Sequence, residues 1–163
     1  FRNYFINQMQ QRKITKEYTA IVVGSTLGSS SIDEPIGRDK FNRTKMTIRS
    51  DGKEALTSIR SCKKIGIYSI LDIAIETGRT HQIRVHLSSK KLPIVGDRTY
   101  DPRRSIAKDS SVKLINIIRS FPRQALHSRF LSFICPKTQS EISFDIPTPA
   151  DMEKLILDIK KYS

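Results

Sequence analysis

The sequence predicts an α+β fold, a mostly antiparallel β-sheet flanked by a few helices, and three observations carry that expectation. Leu71, Ile73 and Ile75 alternate with Asp72, Ala74 and Glu76, the period of a strand in a sheet with one drier face. Short runs rich in β-branched residues follow one another with turn chemistry such as Ser50-Asp51-Gly52-Lys53 between them. Helical spacing of apolar residues is confined to a few segments.

Phe1, Tyr4, Phe5 and Met9 recur at helical spacing among Arg, Asn and Gln, so Phe1 to Lys13 reads as an amphipathic helix. Thr15 to Gly24 is β-branched and ends on glycine, a strand buried on both faces towards its end, with Tyr18 at its entrance beside Lys16 and Glu17. Ser25 to Ser31 is a Gly/Ser loop, and Ile32 to Arg43 is turn chemistry studded with cations. Further strands are expected at Met46 to Ile48, Ala55 to Arg60 and Ile67 to Ile75.

Beyond Gly78 two periods compete. Ile83, Val85 and Leu87 fit a strand, whereas Thr80, Ile83 and Leu87 share one helical face with Thr80 as N-cap. The helix is preferred, ending around Lys90 to Pro93 because proline opposes its continuation. Gly96-Asp97 marks a turn, Tyr100 to Ala107 a basic loop and Val112 to Ile118 a helix. Strands at Arg129 to Ile134 and Glu141 to Ile146 precede a terminal helix, Ala150 to Tyr162, introduced by Pro147-Thr148-Pro149.

At 163 residues and 37% hydrophobic content, the chain reads as a single domain, 1–163, able to bury a core. Lys and Arg number 29 against 16 Asp and Glu, a formal charge of +13, which is the footprint of a polyanion binder. Nucleic acid is therefore the expected partner. No long apolar run or clean amphipathic membrane helix is present, so no membrane partner is expected. Cys62 and Cys135 lack the pairing of a zinc site or a redox motif and read as thiols of a reducing cytosol, hence a cytoplasmic protein. The first residue, Phe1, falls inside a helical pattern, so the chain is expected to be a piece of something longer.

The densest chemistry lies in Gly78-Arg79-Thr80-His81-Gln82-Ile83-Arg84-Val85-His86, directly after an apolar strand. Each of its polar side chains can bind an anion, orient a carboxylate or move a proton. His81 and His86 are five apart with no His-Glu-x-x-His or acidic partner beside them, so no metal is expected. A phosphate-binding P-loop and a Gly-x-Ser-x-Gly elbow are also missing. What remains is Arg79 and Arg84 as anion or carboxylate partners, with His81, Gln82 and His86 as a hydrogen-bonding scaffold. Solvated arginines and core histidines are the plainer alternative for each residue taken singly.

The order of these pieces resembles the RluA-like pseudouridine synthases, which isomerise uridine in ribosomal or transfer RNA. The resemblance rests on Lys16-Glu17-Tyr18-x-Ala20, Pro35-Ile36-Gly37-Arg38-Asp39, Gly52-Lys53-x-Ala55-x-Thr57, Thr77 to Leu87, Pro93-Ile94-Val95-Gly96-Asp97-x-x-Tyr100 and Arg123-Gln124-Ala125-Leu126-His127. The Thr-Gly-Arg-Thr-His-Gln-Ile-Arg-Val-His-Leu block is the specific one. It implies a pseudouridine synthase-like catalytic domain, of which this chain is the C-terminal portion.

The resemblance also implies roles. Tyr18 matches the tyrosine that packs on the target uracil and is proposed to take its carbon-5 proton, and Arg84 matches the arginine that pairs with the catalytic aspartate. Gly78, Arg79, Thr80, His81 and Gln82 would hold the loop that positions Arg84. The reaction requires no metal or redox cofactor. The family's nucleophile lies in a His-Arg-Leu-Asp-x-x-Thr-Ser-Gly block upstream of the tyrosine, which this chain does not contain. It is therefore expected to hold half an active site and to be inert alone, as a monomer, with any N-terminal RNA-binding domain also outside it. Asp97 belongs to a different block and reads as structural. Lys91 and Leu92 stand where the family has Gly-His, and Asp101 where glycine is common. Arg38, Lys40, Arg43 and Lys45 in one segment and Arg98, Arg103 and Arg104 in another could track RNA phosphates. The competing reading is a catalytically inactive basic RNA-binding module.

Overall fold

The structure is a computed structural model and describes every residue except 1, 12, 27, 104, 107 and 109. Its main sheet has six antiparallel strands in the order β2-β5-β6-β1-β7-β8. These are β1 (Thr15–Val23), β2 (Ser30–Asp33), β5 (Leu56–Ile65), β6 (Tyr68–Ile75), β7 (Leu126–Ile134) and β8 (Glu141–Asp145). A separate hairpin pairs β3 (Ile36–Arg38) with β4 (Met46–Ile48). The helices are α1 (Arg2–Gln10), α2 (Gln82–Ser89), α3 (Val112–Ser120) and α4 (Ala150–Tyr162). The α+β, mostly antiparallel expectation holds.

Strand β1 lies between β6 and β7, and its Ala20, Ile21 and Val22 are fully buried. That position explains the unbroken apolar run of a strand covered on both faces. In β6, Leu71, Ile73 and Ile75 are buried while Asp72 is exposed, matching the alternation. Leu114 and Ile118 of α3 and Met152, Leu155 and Ile159 of α4 join these strands in one core with Tyr68 and Leu71. Ser111 caps α3 by accepting from the Leu114 amide.

Three expectations are corrected. Ile32 to Arg43 is not turn chemistry alone, because it contains the end of β2 and all of β3. Strands of three or four residues interrupted by Pro35 carry too little alternation to register. Strand β5 runs to Ile65, not Arg60, and turns into β6 through Gly66 at φ 62. Its charged residues Lys63 and Lys64 sit on exposed positions of the strand. Thr80 does not cap α2: the cap position is His81, in the left-handed region at φ 57, and it makes no side-chain capping bond.

Helix α2 carries buried residues all round, Gln82, Ile83, Val85, His86 and Leu87. Ile83 and Leu87 enter the main core, whereas Val85 forms a second small core with Ile36 and Ala55, backed by Met46, Ile48 and Tyr100. The β3–β4 hairpin is held against the body by this second core. The helix ends with Leu92 N–H donating to Leu87 O at 2.9 Å and Lys91 N–H to Ser88 O at 3.1 Å, a Schellman ending. Its left-handed residue is Lys91 at φ 59, a position that favours glycine. On the other side of the sheet end, the buried Gln8 of α1 donates to Ile134 O at 2.7 Å and accepts from Ile134 N–H at 3.0 Å. Its amide thus pairs with β7 as a strand would.

Candidate active site

The site begins with the loop between β6 and α2, which Gln82 ties down. Its Oε1 accepts from Thr77 Oγ1 at 2.7 Å and from the Arg79 amide at 3.0 Å. Its Nε2 donates to Leu56 O at 2.9 Å and to Thr57 Oγ1 at 3.1 Å. All four hydrogen-bonding positions of a buried amide are filled, which meets the requirement that buried polar groups be paired. Thr77 Oγ1 also accepts from the Leu56 amide at 3.1 Å.

One turn along, His86 is fully buried. Its Nε2 donates to Glu34 O at 2.9 Å, which leaves Nδ1 to accept from Thr57 Oγ1 at 2.9 Å. The two bonds select the neutral Nε2–H tautomer. Burial, the largest influence, holds the imidazole below its ordinary value of 6.5. Thr57 therefore links Gln82 to His86, joining β5 to both ends of α2.

On the next face of α2, Arg84 forks onto Asp97, Nε to Oδ2 at 2.8 Å and Nη2 to Oδ1 at 2.7 Å. Asp97 Oδ1 also accepts from the amides of Thr99 at 3.0 Å and Tyr100 at 3.1 Å. Burial pushes the Asp97 carboxyl up, but the Arg84 bonds and the two amides outweigh it and hold it below its ordinary value. The hydrogen bond to Asp97 raises Arg84 in turn. The guanidinium lies 5.0 Å from the centre of the Tyr100 ring, a cation–π distance. Tyr100 Oη accepts from the Met46 amide and lies 2.9 Å from His81 Nδ1. Burial and then the Arg84 charge hold His81 below its ordinary value, so at neutral pH Nδ1 is free to accept the Tyr100 proton.

Arg84 and Tyr18 line one cleft of 160 Å³, together with Ile75, Arg79, His81 and Leu126. Tyr18 is delivered by β1 at a point where the β1–β7 register skips Arg129, a bulge between Glu17 and Tyr18; bulges of this kind re-aim side chains beside sites. Arg79 donates from Nε to Glu54 O at 2.8 Å and also walls a larger groove of 490 Å³ with Arg38, Met46, Lys53, Gly78 and Thr80. The small cleft therefore opens past Arg79 towards the β3–β4 hairpin. Thr80 is exposed in that groove. Among the described residues no group of three His, Cys, Asp or Glu is placed to hold a metal, and no helix is long and apolar enough to cross a membrane.

The structure thus brings Tyr18, Arg79, His81, Gln82 and Arg84 together, with Gly78 and Thr80 on the adjoining groove. Arg38, Lys40 and Arg43 are exposed on the hairpin and Lys45 is half-buried there, while Arg98 and Arg103 are exposed and line neither cleft. Arg104 lies outside the described residues, as do Phe1 and Ala107. Sequence reading missed Tyr100, Thr57 and Leu126 as parts of the site. Asp97 is the in-chain partner of Arg84; its only sequence signal was its place four residues after Pro93 in a recognisable block.

Residues 1–89, more than half of the chain, match the profile of a family described as RNA pseudouridylate synthase. The chain belongs to that pseudouridine synthase family. Within it the Vibrio cholerae protein called ribosomal large subunit pseudouridine synthase D is 40% identical over 156 residues, covering 96% of this chain and 48% of the relative. The Escherichia coli protein of the same name is 38% identical over 151 residues, covering 93% and 46%. These relatives and the Thr77–Leu87 block place the chain in the RluA-like branch. The chain spans about half the length of the curated relatives it matches. Among solved structures, human RNA pseudouridylate synthase domain containing 1 superposes with a TM-score of 0.65 at 28% identity, over 88% of this chain and 58% of that one. Human RNA pseudouridylate synthase domain containing 4 shares the fold with a TM-score of 0.70 at 23% identity, over 99% and 67%.

Proposed function

We propose that the protein containing this chain isomerises uridine to pseudouridine in RNA, with large-subunit ribosomal RNA as the substrate class named by its relatives. The observation that carries the reading is the shared cleft of Tyr18 and Arg84, walled by Ile75, Ile83 and Leu126. The reaction breaks the N1–C1′ bond of uridine, turns the uracil and joins C5 to C1′. The C5 proton leaves and N1 gains one, so atoms and electrons balance without an oxidant or reductant. The apolar wall keeps water from the opened glycosidic centre, which would otherwise be hydrolysed. Tyr18 packs on the uracil and takes the C5 proton. Arg84 steadies the aspartate nucleophile, which comes from polypeptide outside this chain.

Asp97 occupies only the Nε edge of the guanidinium, and Nη1 has no hydrogen-bond partner among the described residues. That open edge suits a second carboxylate, kept ionised by the adjacent charge. In this reading Asp97 aims Arg84, and the Gln82 and His86 bonds fix the helix that carries it. The chain is the C-terminal portion of the catalytic domain and is inactive by itself. Arg38, Lys40, Arg43, Lys45, Arg98, Arg103 and Arg104 supply phosphate contacts whose strength falls with salt.

A second reading, a catalytically inactive RNA-binding module, is favoured by one fact: Arg84 already has a complete in-chain carboxylate partner. Arg84→Ala and Tyr18→Phe in the full-length protein separate the two. Pseudouridine counted in cellular RNA by chemical labelling and reverse transcription should fall at least about a hundredfold in each variant, the scale of a lost proton-transfer or charge-positioning group. Undiminished modification in both would defeat the assignment of roles.

A further inference from the structure

Phe41, at the tip of the β3–β4 hairpin, is 100% exposed. A single exposed apolar residue is ordinary on a protein surface, but the surroundings of this one are not. Its loop is pre-built by its own side chains. Asp39 Oδ1 accepts from the amides of Phe41 and Asn42, each at 2.8 Å. Asn42 Oδ1 accepts from Thr44 N–H at 3.1 Å and Thr44 Oγ1 at 2.6 Å. Backbone bonds from Lys45 to Asn42 at 2.9 Å and from Asp39 to Lys45 at 3.0 Å close the loop. Arg38 Nη1 donates to Arg43 O at 2.6 Å. A ring offered by a loop already ordered gives up little further freedom when it is covered.

The charges around the ring point to the class of partner. Lys40, Arg43 and Lys45 make no ion pair among the described residues, whereas the nearby acids are engaged. Asp39 is occupied by two amides, and Asp51 by Arg49. A hollow of 470 Å³ beside the ring is lined by Lys40, Phe41, Thr47, Arg49 and the two acids. Aromatic faces with free cations beside them suit unpaired nucleotides, which stack on the ring while their phosphates meet the cations.

We infer that Phe41 is a stacking platform for an unpaired RNA base, with Lys40 and Arg43 holding the flanking phosphates. The inference rests on the RNA-modifying reading and extends it: the hairpin reads a single-stranded or looped part of the substrate away from the reacting uridine. It gives the protein a preference for unpaired RNA that phosphate contacts alone would not supply.

The chain contains no tryptophan, so Phe41→Trp in the full-length protein places a reporter at the tip. Its emission, taken as the difference from the unsubstituted protein, should be quenched on titration with a twelve-nucleotide oligouridine and not with a blunt RNA duplex of equal length. Phe41→Ala should weaken oligouridine binding about five- to hundredfold with an unchanged Tm and an unchanged slope of log affinity against log salt. Lys40→Ala should lower that slope by nearly one unit. Equal quenching by duplex and single strand, no quenching, or a concentration-dependent emission change without RNA, which marks pairing of two copies, would each overturn the inference. Quenching is read without turnover. Intact stacking in a protein that makes no pseudouridine would sink the catalytic reading and leave the platform; normal modification without stacking would do the reverse.

Discussion

The surroundings of α2 and the tip of the β3–β4 hairpin are both rich in polar side chains, and they spend them differently. Around α2, Gln82, His86, Arg84 and Asp97 bond to groups far along the chain, such as Leu56, Thr57 and Glu34. At the hairpin tip, the side-chain oxygens of Asp39 and Asn42 accept only from residues two or three positions away. The first arrangement makes geometry depend on the whole fold. The second makes a shape that survives almost any change elsewhere. Precision is needed where a reacting atom must be placed, and autonomy suffices where a surface only has to be presented.

The comparison breaks most visibly at Asp97. Asp97→Ala leaves the partly buried Arg84 guanidinium without its carboxylate and should destabilise the fold by about 3–5 kcal/mol, read from urea midpoints. A loss within 1 kcal/mol would mean that the pair is far better solvated than its burial implies. Next comes Gln82→Ala, which strands the Arg79 amide and leaves the Leu56 carbonyl only the long bond from the Glu76 amide at 3.4 Å, and should cost about 1–3 kcal/mol. Faster amide exchange at residues 76–81 would accompany it if the side chain ties the loop.

A change of pH probes the same region without mutation. His81 and His86 have folded values below 6.5, so the unfolded chain takes up protons first as pH falls. Stability should be fully present above about pH 6.5 and decline below it until the folded values are passed. Ring NMR signals of both histidines should shift to the protonated form at a lower pH in the folded protein than in the unfolded chain. Early protonation of His86 would contradict its two buried bonds. A smaller effect, and a gain, is expected from Lys91→Gly, which relieves a left-handed lysine and should stabilise by about 1 kcal/mol; the smallest is that of Arg43→Ala at the exposed tip, which should leave the Tm unmoved while weakening RNA binding in proportion to lost charge.

What was legible in the sequence follows from how each element is buried. Strand β1 announced itself because a strand covered on both faces must be apolar throughout, and β6 because it has one wet face. Helix α2 was ambiguous for the opposite reason, since contact on nearly every side erases the stripe that marks a helix. The failed cap at Thr80 reflects a choice made by tertiary contact: His81 takes the left-handed position and reaches Tyr100. In the site, Tyr18 and Arg84 could be named from their blocks, but the fork from Arg84 to Asp97 depends on the turn after Pro93, which no spacing rule reveals. Phe41 was hidden because its significance lies in exposure, and exposure is not written in residue type. The departure at Lys91 and Leu92 proved local: the helix still ends as a glycine-bearing one would, with Leu92 buried beneath it.

The amide of Gln8 has a protective consequence. Strand β7 outruns its pairing with β1, whose last rung on that side is Thr15 with Ser132, and Ile134 would present bare donor and acceptor groups to any passing polypeptide. A side chain from α1 fills that rung. Losing it, as in Gln8→Leu, would uncover a template for foreign strand addition, so self-association during refolding should rise before any function is touched.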